Sequence, residues 1–260
     1  MLGHLLRALR RLFPSSAGRV EVSLLVLVMA AVPVVELLVI RLFSELVIDG
    51  PQRWRGEDSL LMWQIAGFFL AMAGARGMHH LVRIVRVSRF RRRFEELEAR
   101  SPSRQSWDWA LALELSTVLV SIVQTAVFCV IFFALDPLTA AVNVVVVLSV
   151  MAVLSRLYAR ELGRQQAYVA SGSRPGSAPV SDRVSGRIRI AEFGAAAGSL
   201  GMGVVLLVVL FRTLEGQLSS ADAIVFFLGS RLLYGQLGAF SAGIMRFSRA
   251  AARTDLVAAA

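Results

Sequence analysis

The chain has 260 residues, of which 56% are hydrophobic, and 28 arginines with no lysine stand against 18 acidic residues. A chain this apolar has too few polar residues to cover one soluble domain, so its composition excludes an ordinary water-soluble fold. The net charge of +10 would favour nucleic-acid binding in a soluble protein. Here the arginines border apolar runs, where anionic lipid headgroups lie, so membrane lipids are the expected partner and nucleic acid is not.

Residues 1–18 have the pattern of an amphipathic helix. Apolar side chains recur at helical spacing over 2–13, three arginines occupy another face, and Pro14 ends the pattern. This pattern predicts an interfacial elbow helix that lies along the membrane and leads the chain into it. The alternative is a basic segment that only sets the orientation of the first span.

Residues 19–260 contain six apolar runs, each near the roughly 20 residues that a helix needs to cross a bilayer. The runs lie at 22–40, 60–75, 110–135, 138–157, 195–211 and 221–245. They predict an all-α fold, a six-helix transmembrane bundle. The pair Asp136-Pro137 leaves room only for a tight turn, so the third and fourth spans are predicted to be antiparallel neighbours.

The arginines alternate between rich and poor gaps. Four precede the first run, nine lie in 76–104, seven lie in 156–189 and three follow the last run. The intervening gaps at 41–59, 136–137 and 212–220 carry three, none and one. Because cytoplasmic loops are enriched in basic residues, both termini are predicted to be cytoplasmic in the cell (inner) membrane.

Two cytoplasmic helical hairpins are predicted at 76–109 and 156–194. Apolar residues continue between the arginines of the first hairpin, which indicates that the helices extend beyond the bilayer. Two arms of roughly 36 residues between 60 and 136 each reach about 54 Å, beyond a core of about 30 Å. The Gly-, Pro- and Ser-rich stretch 170–179 predicts a loop at the tip of the second hairpin.

No catalytic arrangement is visible in the sequence. His79 and His80 are adjacent and therefore about 100° apart on a helix, which does not suit a metal site. The absence of lysine excludes a GxxxxGK[ST] phosphate-binding loop, and Cys129 is the single cysteine. We therefore expect no enzyme activity, metal or cofactor in this chain, and rank an intramembrane enzyme below the functions considered next.

Four polar residues within the spans are candidates for lining a cavity. They are Glu36, Gln124, Asn143 and Arg231, and such side chains are costly in lipid unless they have a function or a partner. The alternative is that they form hydrogen bonds between helices, which we favour for Gln124 and Asn143. Glu36 and Arg231 carry opposite charges at comparable depth, which raises the hypothesis that they pair.

Small residues indicate close helix packing near the end of the chain. Gly235, Ala239 and Gly243 recur every four residues, and Gly194 and Gly198 form a GxxxG pair. These patterns are typical either of packing within one bundle or of a contact between two copies.

The order of an elbow helix, six spans, two long inner hairpins and three short outer turns resembles the transmembrane half of an ATP-binding cassette (ABC) exporter. The sequence LFSELVIDG at 42–50 is similar to the end of that family's first helix, and VSGRIRIAEFG at 184–194 is similar to its segment after the second coupling loop. Residues 219–253 are similar to its sixth helix. The resemblance covers nearly the whole chain. The chain departs from the family pattern in its shorter inner hairpins.

The resemblance implies a permease subunit of an ABC-type exporter that moves an amphipathic or lipid-linked compound. Within these 260 residues no ATPase segment follows the sixth span, so ATP would act through a separate nucleotide-binding subunit, and two membrane subunits would form a homo- or heterodimer. Short transverse helices near 100–109 and 169–183 would contact the ATPase, through candidate coupling residues Arg100, Arg104, Trp107, Arg174 and Arg183. The alternative is a non-transporting scaffold or regulatory subunit built on a degenerate exporter domain.

Overall fold

A computed structural model describes residues 2–55, 59–95, 102–171 and 180–259, and within them the regular structure is entirely α-helical. Six of the helices are long and apolar enough to cross a membrane, and each predicted span lies inside one of them. The predicted all-α bundle of six membrane-length helices is thus confirmed. The helices are α1 (Leu2–Leu12), α2 (Ser16–Arg55), α3 (Ser59–Glu95), α4 (Pro102–Leu135), α5 (Pro137–Ser171), α6 (Val180–Leu214) and α7 (Ser220–Ala259).

The helices are longer than the apolar runs that predict them. α3 has 37 residues and α4 has 34, so each is more than about 50 Å long and exceeds a core of about 30 Å. The two arms are thus longer than a bilayer core requires. The gap at 41–59 is shorter than expected, because α2 continues to Arg55 on further apolar residues such as Leu42 and Leu46.

A short joint connects α1 to α2. Pro14 follows α1, and the Ser15 hydroxyl accepts a hydrogen bond from the Gly18 N–H at 3.1 Å, which caps the first turn of α2. Leu5 and Leu12 are buried, and α1 packs against α4. The amphipathic pattern therefore forms a separate helix whose apolar side faces the bundle.

α7 is the central helix of the bundle. It packs against α2, α4, α5 and α6, whereas α3 packs mainly against α2. At the α4–α7 contact, the rings of Phe132 and Phe226 lie 4.8 Å apart and are fully buried. Apolar side chains such as Leu70 and Leu200 remain exposed on the outer faces, where lipid would cover them.

One end of the bundle is closed around Asp136. α4 ends at Leu135 and α5 begins at Pro137, which confirms the tight turn between antiparallel neighbours. Arg212 donates to Asp136 from Nη2 at 2.9 Å and from Nε at 3.3 Å, and the Thr139 N–H donates at 3.1 Å. The hydrogen bonds from Arg212, with those from Thr139, hold the pKa of the Asp136 carboxyl below its usual value even though burial acts in the opposite direction.

The opposite end, called the basic end below, gathers α1 and the C-terminal halves of α5 and α7. Tyr158 and Phe247 lie with their ring centroids 6.4 Å apart. Phe90 of α3 contacts Trp109 of α4 at 6.4 Å. Successive long helices therefore run in alternate directions, as the alternation of arginine-rich gaps predicts.

Close packing at Gly194 occurs within the chain. A methyl group at Gly194 would lie 2.6 Å from Leu154 Cδ2 and 2.8 Å from Ser241 Cβ, so α5, α6 and α7 meet there without room for a side chain. Gly235 has open space around its Cα instead. Of the two interpretations of the small-residue patterns, packing within one bundle explains Gly194.

Candidate functional site

A cavity of about 270 Å³ lies between α2, α3, α4 and α7. We call it the polar cleft. It forms because α3 leans on α2 and touches α4 at few positions. Its polar lining consists of His79, Arg83 and Arg86 from α3, Thr117, Ser121 and Gln124 from α4, and Gln236 from α7; α2 contributes Met29, Val32 and Pro33.

Two polar stripes face each other across the cleft. The α3 positions 79, 83 and 86 and the α4 positions 117, 121 and 124 both follow the spacing of four and then three residues that places side chains on one helix face. Arg86 Nη1 donates to Thr117 Oγ1 at 3.4 Å, which sets the antiparallel register. Arg83 is thus level with Ser121, and His79 with Gln124.

The cleft has an excess of positive charge. Arg83 and Arg86 line it, and no Asp or Glu is among the described residues of its lining. Glu114 lies one turn from Thr117 towards the basic end, but it accepts a hydrogen bond from Arg246 Nε at 2.7 Å. Its charge is therefore offset by a third arginine, and the two cleft arginines retain a net positive field.

Hydrogen-bonding capacity remains unused around the cleft. Gln124 is only 4% exposed; its Nε2 donates to the Met29 carbonyl at 3.3 Å, while its Oε1 is buried without a partner among the described residues. Arg86 Nε and Glu114 Oε2 are likewise buried and unpaired there. Because a buried polar atom without a partner costs about 1–3 kcal/mol, these atoms are expected to meet a bound molecule or water.

Glu36 and Arg231 do not form the hypothesised pair. Glu36 Oε1 lies 3.8 Å from Arg76 Nη1, beside a second cavity of about 340 Å³ that Leu228 and Leu232 of α7 also line. Arg231 is exposed and makes no ion pair with any described residue. The pairing hypothesis was wrong because α7 directs Leu228 and Leu232 towards Glu36 and turns Arg231 away from it.

Asn143 joins three helices through hydrogen bonds. Its Oδ1 accepts from the Tyr234 hydroxyl at 3.0 Å, and its Nδ2 contacts Cys129 Sγ at 3.7 Å. Asn143 is completely buried and does not line the polar cleft. Of the four candidate cavity residues, only Gln124 lies on the cleft, and Asn143 has the geometry of an interhelical hydrogen bond.

The candidate coupling residues are described in part. Arg100 and Arg174 lie outside the described residues, and the side chains of Arg104 and Arg183 do so as well. Trp107 is half-buried, and the guanidinium carbons of Arg249 and Arg253 lie 5.6 and 5.8 Å from its ring centroid.

The expected transverse helices are not present as separate elements in the described residues. The part of the first expected helix from 102 to 109 belongs to the continuous helix α4, and 180–183 belong to α6. Residues 169–171 of the second segment belong to α5, and 172–179, which include most of the predicted loop, lie outside the described residues.

Sequence reasoning did not single out Arg83, Arg86, Thr117, Ser121 or Gln236 as site residues. The two arginines stood among nine in 76–104 and were attributed to membrane orientation. A signal was nevertheless present, because both polar stripes have helical spacing. Among the described residues, no three His, Cys, Asp or Glu side chains come together to hold a metal ion.

No protein-family model matches the chain, and no curated protein matches it.

Proposed function

We propose that this chain is the membrane permease subunit of an ABC-type exporter, moving an amphipathic or lipid-linked compound across the cell (inner) membrane while a separate subunit hydrolyses ATP. The observation that carries the proposal is the polar cleft. A scaffold needs only tightly packed spans, whereas four helices here surround a cavity whose lining has hydrogen-bonding atoms without partners among the described residues.

The long helices supply a second line of support. α3 and α5 extend well past the apolar segments towards the basic end. An exporter subunit needs such arms to receive the conformational change of an ATPase outside the membrane. The proposal therefore has both termini and the two helical hairpins on the cytoplasmic side.

A dimer of two membrane subunits, identical or different, completes the proposed transporter. Arg231 is exposed on α7, and Gly235, one turn further along, has open space beside it. An exposed arginine is costly in lipid, so this face of α7 is better placed towards a second subunit or an aqueous path than towards lipid.

The non-transporting scaffold or regulatory subunit remains the second candidate, and one observation favours it. The ring of Trp107, a candidate coupling residue, is already covered by Arg249 and Arg253. An ATPase that contacts Trp107 would have to displace these cation–π contacts, which are worth about 0.5–1 kcal/mol each when exposed.

Site-specific photo-cross-linking distinguishes the two candidates. A photoreactive amino acid replaces Gln105, which is exposed near the start of α4, and in a matched variant it replaces Gln217, which is exposed at the Asp136 end. Both variants are irradiated in cells of the native host and purified, and the cross-linked proteins are identified by mass spectrometry.

The exporter proposal expects a nucleotide-binding ATPase joined at Gln105 and not at Gln217. A partner without a nucleotide-binding domain, joined at Gln105 in the absence of any ATPase, would support the scaffold instead. An ATPase joined at Gln217 alone would reverse the proposed orientation and refute the coupling model.

A further inference from the structure

We propose, resting on the proposed function, that the polar cleft binds the headgroup of an anionic amphiphile, with a phosphate at Arg83 and Arg86 and hydroxyl groups at Gln124. The cleft contains two guanidinium groups and no described carboxylate. Guanidinium groups match phosphate oxygens in geometry and charge, so an anion is the complementary ligand.

The orientation of Arg86 supports a bound ligand over contact with the membrane surface. An arginine that only meets lipid headgroups extends away from the bundle towards the interface. Arg86 instead reaches across to Thr117 on α4 and leaves its Nε buried without a partner among the described residues. A phosphate oxygen between Arg83 and Arg86 would satisfy this donor.

The far end of the cleft requires a ligand that donates a hydrogen bond. Gln124 Oε1 is an acceptor, buried and unpaired among the described residues, and Gln236 lines the same cavity. Gln124 is three residues from Ser121, which is level with Arg83, or about 5 Å along α4. A headgroup with a phosphate at one end and hydroxyl groups about 5 Å away meets both sets of atoms.

The size of the cavity indicates how much of the ligand enters. Its volume of about 270 Å³ is at the lower limit of small-molecule sites and suits a polar headgroup without its hydrocarbon chains. The same phosphate and hydroxyl chemistry occurs in a lipid headgroup and in a soluble organic phosphate, and the experiment separates these sources.

The test measures binding by isothermal titration calorimetry to the purified full-length protein in a non-ionic detergent. The probes are dihexanoyl-phosphatidylglycerol, the zwitterionic dihexanoyl-phosphatidylcholine and glycerol 3-phosphate. The variants are Arg83→Gln and Arg86→Gln, with Arg92→Gln as the matched control. Arg92 lies on the same helix, is exposed and is not part of the cleft.

We expect each cleft variant to weaken the binding of dihexanoyl-phosphatidylglycerol at least about tenfold, because a charged hydrogen bond is lost. Arg92→Gln should leave the dissociation constant unchanged, and dihexanoyl-phosphatidylcholine should bind more weakly. Binding of glycerol 3-phosphate with equal affinity and the same arginine dependence would assign the site to a soluble phosphate. An equal loss of affinity for dihexanoyl-phosphatidylglycerol in Arg83→Gln, Arg86→Gln and Arg92→Gln, or no loss in any of them, overturns the proposal.

Two further variants keep the test decisive if an arginine variant does not fold. Ser121→Asp places a carboxylate level with Arg83, where it should compete with the anion and weaken binding by a similar factor. Gln124→Leu should weaken dihexanoyl-phosphatidylglycerol several-fold through loss of one neutral hydrogen bond. Unchanged binding in both folded variants contradicts the placement of the headgroup.

Because the titration needs neither an ATPase nor transport, its outcome is independent of the cross-linking result. Arginine-dependent binding without an ATPase at Gln105 would retain the site and reject the exporter. An ATPase at Gln105 without arginine-dependent binding would retain the exporter and reject this substrate class.

Discussion

The close contact at Gly194 gives a quantitative test of the bundle, through the substitution Gly194→Ala. The added methyl carbon would lie 2.8 Å from Ser241 Cβ and 2.6 Å from Leu154 Cδ2, and it would also meet the Ser241 hydroxyl. The leucine methyl can rotate away, but Ser241 Cβ is fixed by the α7 backbone. Because α6 must therefore move from α7, we expect a loss of about 1–3 kcal/mol in the free energy of unfolding.

The measurement is thermal unfolding in detergent, followed with a thiol-reactive dye. Cys129 is the only cysteine in the sequence and is partly buried, so its reaction reports unfolding at one site. Gly203→Ala on the same helix is the control, because nothing lies within 4 Å of its added methyl. That variant should stay within about 0.5 kcal/mol of the parent.

A second substitution tests the cause of the loss. Ser241→Gly removes both serine atoms that the methyl of Gly194→Ala would meet. Combined with Gly194→Ala, it should recover part of the stability that the single variant loses, beyond the sum of the separate effects. If Gly194→Ala melts like the parent, or if Gly203→Ala loses as much, the α6–α7 packing described above is wrong.

Three other predictions concern the buried hydrogen bonds and the orientation. Asp136→Ala should lower the free energy of unfolding by about 1 kcal/mol through loss of the α5 cap alone. Because the pKa of Asp136 is lowered in the folded state, the stabilisation by its carboxylate is complete above the unfolded-state pKa of about 3.9 and is lost as the pH falls through the folded-state pKa. The melting temperatures of the parent and of Asp136→Asn, which lacks this carboxylate, should therefore converge only in acid. Tyr234→Phe should cost about 0.5–2 kcal/mol because Asn143 Oδ1 loses its donor, and a double-mutant cycle with Asn143→Ala that shows no coupling would contradict this. In a Cys129→Ser background, Gln217→Cys should react with a membrane-impermeant maleimide on intact cells, and protection there with labelling only after lysis would reverse the proposed orientation.

The architecture could be predicted from sequence because the bilayer imposes strong local requirements. Each span needs about 20 apolar residues, and Asp136-Pro137 can only end one helix and start another. The ends of the helices were less predictable. Past Ile40 and Ala75, the mixture of apolar and polar residues is compatible with either a solvated helix or a loop. In the structure α2 continues to Arg55 and α3 to Glu95.

The polar cleft depends on which helices become neighbours, and this information is not local. Arg83 and Arg86 look the same in sequence as the arginines that orient the protein in the membrane. Their role changes only once α4 lies opposite and Thr117 receives a hydrogen bond. Arg231 shows the reverse: Leu228 and Leu232 of the same helix line the cavity beside Glu36, but the rotation of α7, set by packing along the whole helix, turns Arg231 outward.

The contacts set α3 apart from the other long helices. It packs mainly against α2 and touches α4 at few positions, whereas α2 also packs against α4 and α7. Arg89 Nη1 of α3 lies 2.8 Å from Glu21 Oε1 of α2, and the cleft between α3 and α4 is spanned by the Arg86–Thr117 hydrogen bond. Access to the cleft should therefore change by movement of α3.

Spin labels test this movement, because the exposed residues Ile84 of α3, Leu148 of α5 and Leu207 of α6 accept cysteines in the Cys129→Ser background. Double electron–electron resonance should give a broader distance distribution for the pair 84–148, which joins α3 to α5, than for the pair 148–207, which joins α5 to α6. Thr117→Val, which removes the hydrogen bond from Arg86, should broaden the first distribution further and leave the second unchanged. Equal widths for both pairs would show that α3 and the other helices move as one body, and the cleft would then need another route of access.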